Sequence, residues 1–304
     1  MSTAPYREQV SLLLRILPII AREEAFALKG GTAINLFVRD LPRLSVDIDL
    51  TYLPVGDRIA ALTGIREGLQ RVETGIKRRF AGTTVHASRR ADTPRLFVDA
   101  PGARVTVEPN TTLRGSVFQA REARTVAAVE TEFEQSVNAR VLSLADLYGG
   151  KIVAALDRQH PRDLFDVRML LQSEGISDEI RTAFIVYLAS HSRPIAELLD
   201  PKLKPLEKLF ESQLAGMIRN PVTCRELEET RNQLIRHVQR DLTSKEREFL
   251  LSLKRAEPQW DLIPVTHLRE MPAIQWKLRN LQQLARRTRQ HGAAIRRLRE
   301  VLEL

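Results

Sequence analysis

Between Ser11 and Phe26, apolar residues fall at Leu13, Ile16, Leu17 and Ile20, the spacing of a helix with one face in a core. Gly30-Gly31 predicts a tight turn, and Thr32 is placed to cap a helix over Ala33–Arg39 that Pro42 ends. The pattern changes at Val46–Leu53, where apolar positions alternate with acidic or polar ones. A period of two predicts a strand with Asp47, Asp49 and Thr51 on one face. Ile59–Phe80 returns to a helical period. Thr83–His86, Arg95–Asp99 and Arg104–Glu108 predict short strands, the last two joined by a turn at Pro101-Gly102. A further strand is predicted over Val126–Val129, then helices over Leu144–Leu156 and Pro161–Leu171 with a loop at Arg158–His160 between them.

From Ile180 onward the pattern is helical throughout, punctuated by prolines from Pro194 to Pro272. A boundary near Glu174–Ser177, where Gly175 ends the preceding helix, divides the chain into residues 1–175 and 176–304. The fold class expected is α/β (α+β): a small mixed sheet with flanking helices, followed by a C-terminal all-helical domain.

A length of 304 residues suits two domains, and 43% hydrophobic residues supply enough apolar material for a core in each. No uncharged apolar run is long enough to cross a membrane. The apolar patch at Leu12–Ile20 is interrupted by Arg15 and lacks a small-residue cleavage site, so a secretory signal is not expected. The single cysteine, Cys224, rules out an intrachain disulfide framework and agrees with a reducing, cytoplasmic setting. Six scattered histidines have no zinc-ligand spacing, and no serine sits in the nucleophile elbow of a hydrolase.

The net charge of +9, with an isoelectric point near 10.0, favours polyanionic partners, nucleic acid above all. Its densest part lies near the end, where Lys277, Arg279, Arg286, Arg287, Arg289, Arg296, Arg297 and Arg299 surround Leu278, Leu281, Leu284, Ile295 and Leu298. That pattern fits a solvated face on a helical hairpin and equally fits RNA contact. With Trp260 and Trp276 the only tryptophans, phosphate contact is the better expectation than base stacking.

Lys29-Gly30-Gly31-Thr32 followed by Ser45-Val46-Asp47-Ile48-Asp49-Leu50 carries the candidate chemistry. Phosphoryl-type transfer needs a polyanionic triphosphate held against backbone donors, and it needs relief of charge that builds during in-line displacement. Paired glycines at a helix start let N–H groups approach phosphate oxygens. Carboxylates at i and i+2 on a strand point the same way and can share magnesium. Either piece alone is common; in this order and spacing, with apolar residues flanking both aspartates, they are specific.

The glycine turn followed by a hydrophobic-flanked Asp-x-Asp resembles polymerase-β-like nucleotidyltransferases. The fuller string through Ala33, Arg43 and Ser45 resembles the AbiEii/MenT nucleotidyltransferase toxins of bacterial toxin–antitoxin systems. Leu144-Ala145-Asp146-Leu147-Tyr148-Gly149-Gly150-Lys151 and Arg162-Asp163-Leu164-Phe165-Asp166 are similar to that family's later motifs, and Met271–Lys277 to some members' C-terminal sequence. The resemblance implies metal binding at Asp47 and Asp49, and nucleotide or phosphate contacts around Lys29, Gly30, Gly31, Thr32 and Ser45. It also implies catalytic importance for Lys151 and Asp166.

Lys151 suits a triphosphate counter-charge, a compact ammonium on a flexible stem. Asp163 shares a helix face with Asp166; it either orients Lys151, meets the nucleotide, or serves only the helix dipole after Pro161. A third carboxylate is expected on a later strand, Glu108 first and Asp99 second, although Pro109 follows Glu108 where an apolar strand residue would be expected.

The implied function is that of a toxin: Mg²⁺-dependent transfer of a nucleoside monophosphate from a nucleoside triphosphate to the 3′ end of tRNA, blocking translation. An antitoxin of the AbiEi kind and a role in phage defence go with it. The alternatives are a protein or small-molecule acceptor, or a nucleic-acid-binding module without catalysis.

Overall fold

Strand β2 (Asp47–Tyr52) shows how the first half is organised. Ile48 and Leu50 are turned into the core, while Asp47 and Asp49 remain partly accessible on the opposite side. The computed structural model describes residues 4–88 and 92–304. Before β2 come α1 (Ala4–Ile20), β1 (Phe26–Lys29) and α2 (Gly30–Phe37); after it come α3 (Arg58–Arg79), β3 (Thr84–Ala87), β4 (Leu96–Ala100) and β5 (Ala103–Asn110). The sheet is completed by β6 (Arg121–Arg124) and β7 (Asn138–Val141), with α4 (Ala127–Phe133) between them. The order across its seven strands is β3-β4-β5-β2-β1-β7-β6. Pairing of β2 with β5 and of β1 with β7 is parallel, and the remaining pairs are antiparallel, so the sheet is mixed.

Local chemistry fixes the flanking helices. Leu13, Ile16, Leu17 and Ile20 of α1 are all buried, as their spacing predicts, and α1 packs on β5 and α3. The Asp57 carboxylate caps α3 by accepting from the Ile59 and Ala60 amides at 2.8 and 3.0 Å. The stretch Val126–Val129, expected as a strand, instead starts α4, where Val129 is the one buried side chain. Its neighbour β6 escapes a pattern search because charged, exposed residues dominate it, as suits an outer strand, and β7 because four residues are too few to show a period.

The second half is helical: α5 (Leu144–Arg158), α6 (Pro161–Gln172), α7 (Asp178–Ser190), α8 (Ile195–Leu199), α9 (Glu207–Gln213), α10 (Cys224–Arg240), α11 (Ser244–Lys254), α12 (Pro272–Ala285) and α13 (Thr288–Leu302). Capping boxes of Thr223 with Glu226 and Thr243 with Glu246 start α10 and α11. Glu246 is buried and accepts from Arg181 at 2.9 Å, tying α11 to α7.

The chain divides into two compact units. One holds Met1–Leu147 and Glu211–Val222, the other Tyr148–Phe210 and Thr223–Leu304. The expected boundary at 174–177 is the loop between α6 and α7, inside the second unit, whereas the division itself falls within α5. The return of Glu211–Val222 to the first unit is invisible in the sequence. This segment pairs with the approach to β2: the Leu44 amide donates to the Met217 carbonyl at 2.8 Å, and the Arg219 amide to that of Pro42 at 3.0 Å.

Adjacent glycines in α5 give a test of packing in the second unit. A methyl group on Gly149 would lie 2.7 Å from the Phe184 backbone nitrogen of α7, whereas one on Gly150 would meet only Tyr187 ring atoms at 4.0 Å. Gly149→Ala should therefore cost about 1–3 kcal/mol by overpacking against backbone that cannot move aside. Gly150→Ala should be neutral or stabilising by up to about 1 kcal/mol, because alanine favours a helix. Urea denaturation of both variants checks the contrast, and equal stabilities would contradict the close helix approach.

Candidate active site

Sheet register assembles the first unit's polar face. Cross-strand partners point the same way, and Asp49 is the register partner of Lys29 on β1 and of Glu108 on β5. Continuing outward, the Glu108 carboxylate lies 3.3 Å from Arg95 Nη2, just before β4. The result is a row of alternating origin, Arg95, Glu108, Asp49 and Lys29, with Asp47 and its partner Thr106 two positions along. Lys29, Asp49, Arg95 and Glu108 line a cleft of about 220 Å³, together with Thr93, Pro94, Pro109, Asn110 and Thr111.

The register separates the two candidates for the third carboxylate. Glu108 stands beside Asp49, whereas Asp99 is the partner of Arg104 and forms an ion pair with it, farther along the strands. Burial pushes the Glu108 carboxyl above its ordinary value; Arg95 pulls it down, and the charges of Asp49 and Asp47 push it up again. Arg95 has no signal in the sequence, since its place depends on the register of β4 against β5.

The glycines act differently from a turn before a helix: Gly30 and Gly31 form the first turn of α2, with Lys29 in the N-cap position. Gly30 has φ +69°, and a methyl group there would sit 2.4 Å from Asp49 Oδ2. At Gly31 it would sit 2.6 Å from Arg43 Nη2 and 2.9 Å from Ser45 Oγ. Both positions thus let functional side chains lie against backbone. Thr32 is fully buried, and its hydroxyl donates to the Asp47 carbonyl, 3.0 Å from Ser45 Oγ. In this structure the hydroxyl therefore ties α2 to β2. Arg43, also buried, donates from Nη1 to the Leu44 carbonyl at 2.9 Å.

The second unit holds the other expected residues. Lys151 is 6% exposed at its side chain, with Nζ 2.9 Å from Asp163 Oδ1 and 3.0 Å from Asp166 Oδ2. Both aspartates are almost fully buried, and Arg158 donates to both oxygens of Asp163. Burial pushes the Asp163 carboxyl up, but Lys151 and Arg158 outweigh it and hold it well below the usual carboxylate range. Lys151 is therefore no ordinary surface lysine. Asp163 is engaged by two cations, beyond any interaction with the start of α6.

The donor set of the first unit fits the expected magnesium ion. Carboxylate oxygens are the hard ligands that ion prefers, and a cation among them would offset the burial that, first of all, raises the Glu108 carboxyl. The three carboxylates are not drawn into one tight cluster. Among the described residues the group with ligand atoms all within 4.8 Å of one another is Glu207, Cys224 and Glu228, in the second unit.

A family model described as "Nucleotidyl transferase AbiEii toxin, Type IV TA system" matches residues 11–280. No curated protein matches the chain. Among solved structures, MenT4, a nucleotidyltransferase toxin from Mycobacterium tuberculosis H37Rv, is similar with a TM-score of 0.63 and 15% identity. The match covers 91% of this chain and 93% of that one, and at this identity it speaks for the fold.

The buried lysine cluster has a measurable acid signature. Because the folded-state pKa of Asp163 is depressed, its ion pairs stabilise the fold above the unfolded carboxylate value and lose that effect as pH falls through the folded value. Lys151→Met leaves two buried carboxylates to Arg158 and should cost about 3–5 kcal/mol at pH 7. The difference from wild type should narrow as pH drops below about 4, where carboxylates protonate in the unfolded chain. Denaturant titrations across pH 3–7 check it; a constant difference would show that lost packing, not charge, is responsible.

Proposed function

The chain belongs to the AbiEii family of nucleotidyltransferase toxins of type IV toxin–antitoxin systems, and on that premise we propose that it transfers a nucleoside monophosphate from a nucleoside triphosphate to an acceptor hydroxyl, releasing pyrophosphate. The observation that carries this reading is the placement of Asp49 between Glu108 and Lys29, with Asp47 on the same strand face, along a cleft in the sheet.

Each residue takes a role from its place. Asp47 and Asp49 would hold magnesium, with Glu108 alongside. Bound there, the ion supplies neutralisation of phosphate charge as the pyrophosphate departs. Glu108, its proton affinity raised, is suited to accept the proton of the attacking hydroxyl. Backbone N–H groups at Gly30 and Gly31, unused within the first turn of α2, are donors for triphosphate oxygens, and Lys29 adds a positive charge on the cleft wall. Thr32 and Ser45 keep α2 and β2 in register behind them. In the second unit, Lys151 and Asp166 are residues on which turnover depends, and Asp163 with Arg158 orients the lysine.

The acceptor in this reading is the 3′ end of tRNA, supported by the net charge of +9 and by the family's toxin activity. Modification there blocks translation in the cytoplasm, an antitoxin of the AbiEi kind opposes it, and phage defence is the setting. Incubation with each labelled nucleoside triphosphate and total tRNA tests the reading: label on RNA supports it, label on protein replaces the acceptor, and no label removes the activity.

Asp47→Ala and Asp49→Ala should each lower turnover roughly 100- to 1000-fold, the scale of losing a main electrostatic stabiliser of the transition state. Both should fold normally, since removing either charge relieves repulsion from Glu108. Circular dichroism and single-turnover kinetics at saturating magnesium check this, and near-normal turnover in either variant would falsify the site.

A further inference from the structure

Residues 271–299 contain eight Lys or Arg and no Asp or Glu, so the other 39 basic residues are almost cancelled by the chain's 38 acidic ones. Nearly the whole net charge therefore sits on α12 and α13. Two of the eight cations are used internally: Lys277 donates to the carbonyls of His191 and Arg193, both at 2.7 Å, and Arg297 pairs with Asp200. The other six, Arg279, Arg286, Arg287, Arg289, Arg296 and Arg299, are exposed, and among the described residues no carboxylate pairs with them.

Helix α12 buries Ala273, Ile274, Lys277 and Leu281. Three, four and seven residues apart on its other side stand Trp276, Arg279, Asn280 and Gln283, all exposed, and exposed Arg286 and Arg287 follow the helix end. Trp276 is 57% exposed, one of the few large apolar side chains left in water. Trp260, by contrast, is half-buried, with its ring 6.4 Å from that of Phe249. An apolar protein partner would ask for further apolar neighbours around Trp276, but its neighbours along the stripe are cations and amides. A planar indole edged by phosphate-binding and hydrogen-bonding groups matches a nucleotide strand: base on the ring, phosphates on the arginines.

We infer that this face of α12 docks single-stranded RNA, with an unpaired base stacked on Trp276 and neighbouring phosphates on Arg279, Arg286 and Arg287. Duplex RNA keeps its base faces stacked internally, so the ring selects unpaired strand over duplex. The inference rests on the RNA-acceptor reading for its purpose, but its test does not require transfer.

Binding of a fluorescein-labelled single-stranded RNA of about 12 nucleotides, and of the corresponding duplex, is measured by anisotropy on the full chain without nucleoside triphosphate. Trp276→Ala should weaken single-strand binding about tenfold with little change in salt dependence, and Trp276→Phe should recover most of the loss. Arg286→Gln with Arg287→Gln should instead flatten the salt dependence by about one logarithmic unit per unit. In a Trp260→Phe background the remaining indole should be quenched by the single strand and not by the duplex. Wild-type affinity in Trp276→Ala overturns the inference. Quenching by an antitoxin protein but not by RNA does the same, and makes this a protein-docking face. Transfer assays separate the two readings. Label on protein with Trp276-dependent RNA binding intact removes the acceptor reading and leaves this one standing. Label on RNA with a fully active, normally binding Trp276→Ala removes only this one.

Discussion

Parallel pairing of β2 with β5 forces two carboxylates, Asp49 and Glu108, side by side, and much of the first unit is arranged around that unfavourable contact. Burial raises the cost of ionising Glu108, and the neighbouring charge of Asp49 adds to it. The compensation is built from both edges of the row: Arg95 pairs with Glu108 from outside, and Lys29 is the register partner of Asp49 from inside. Gly30 then has to be a glycine twice over, once for its positive φ and once because the Asp49 carboxylate occupies the space of a side chain. Burial of Thr32, Arg43 and Ser45 behind β2 follows from the same need, since a strand that presents repelling charges must be held by something other than those charges.

Pro109 shows why β5 can carry Glu108 at all. A proline in a strand normally argues for an edge, because it has no N–H to donate. Here β5 runs through Pro109 to Asn110 and pairs with β2 throughout, with Pro109 opposite Leu50. On its other side, β4 begins at Leu96 opposite Val107, so beyond Val107 that margin of β5 has no strand neighbour. Pro109 thus lies at a local edge within a central strand. The same interruption of β4 opens the cleft lined by Arg95, Glu108 and Pro109. The feature that made Glu108 doubtful in the sequence is part of what makes it accessible.

What could be read from the sequence follows from where the information resides. The i and i+2 spacing of Asp47 and Asp49, the i and i+3 spacing of Asp163 and Asp166, and the apolar stripe of α1 are local, and each element matches its pattern. The charged edge strand β6 carries no alternating pattern, β7 is only four residues long, and Val126–Val129 imitates a strand because all four of its residues are small or β-branched. Arg95 beside Glu108, Glu211–Val222 beside Pro42 and Leu44, and the depth of Lys151 depend on register and tertiary packing, which no single-sequence spacing encodes. The resemblance supplied Lys151 and Asp166 without saying that they would be buried together.

The ionisable groups sort by how well their charge is matched in place. Lys151 and Arg158 against Asp163 and Asp166 form a balanced set, buried except for Arg158, and the carboxyl that the two cations share, Asp163, is driven down. Asp47, Asp49 and Glu108 outnumber the cations Arg95 and Lys29 arrayed with them, and Glu108 is driven up, by burial first and by the two aspartates besides. Balance fixes the first set in place, so that Asp163 and Arg158 hold Lys151 oriented; a set with surplus charge stores an affinity for a partner of the opposite sign. Lys277 makes the same point for cations. Burial takes its ammonium down to about 8, where two backbone carbonyls can hold it, so it is spent inside the fold, while the arginines along the same hairpin keep their charge exposed in water. Overall charge in such a chain says little until each group has been assigned to one account or the other. Once assigned, a negative surplus stands at the carboxylates of β2 and β5, and a positive one along α12 and α13.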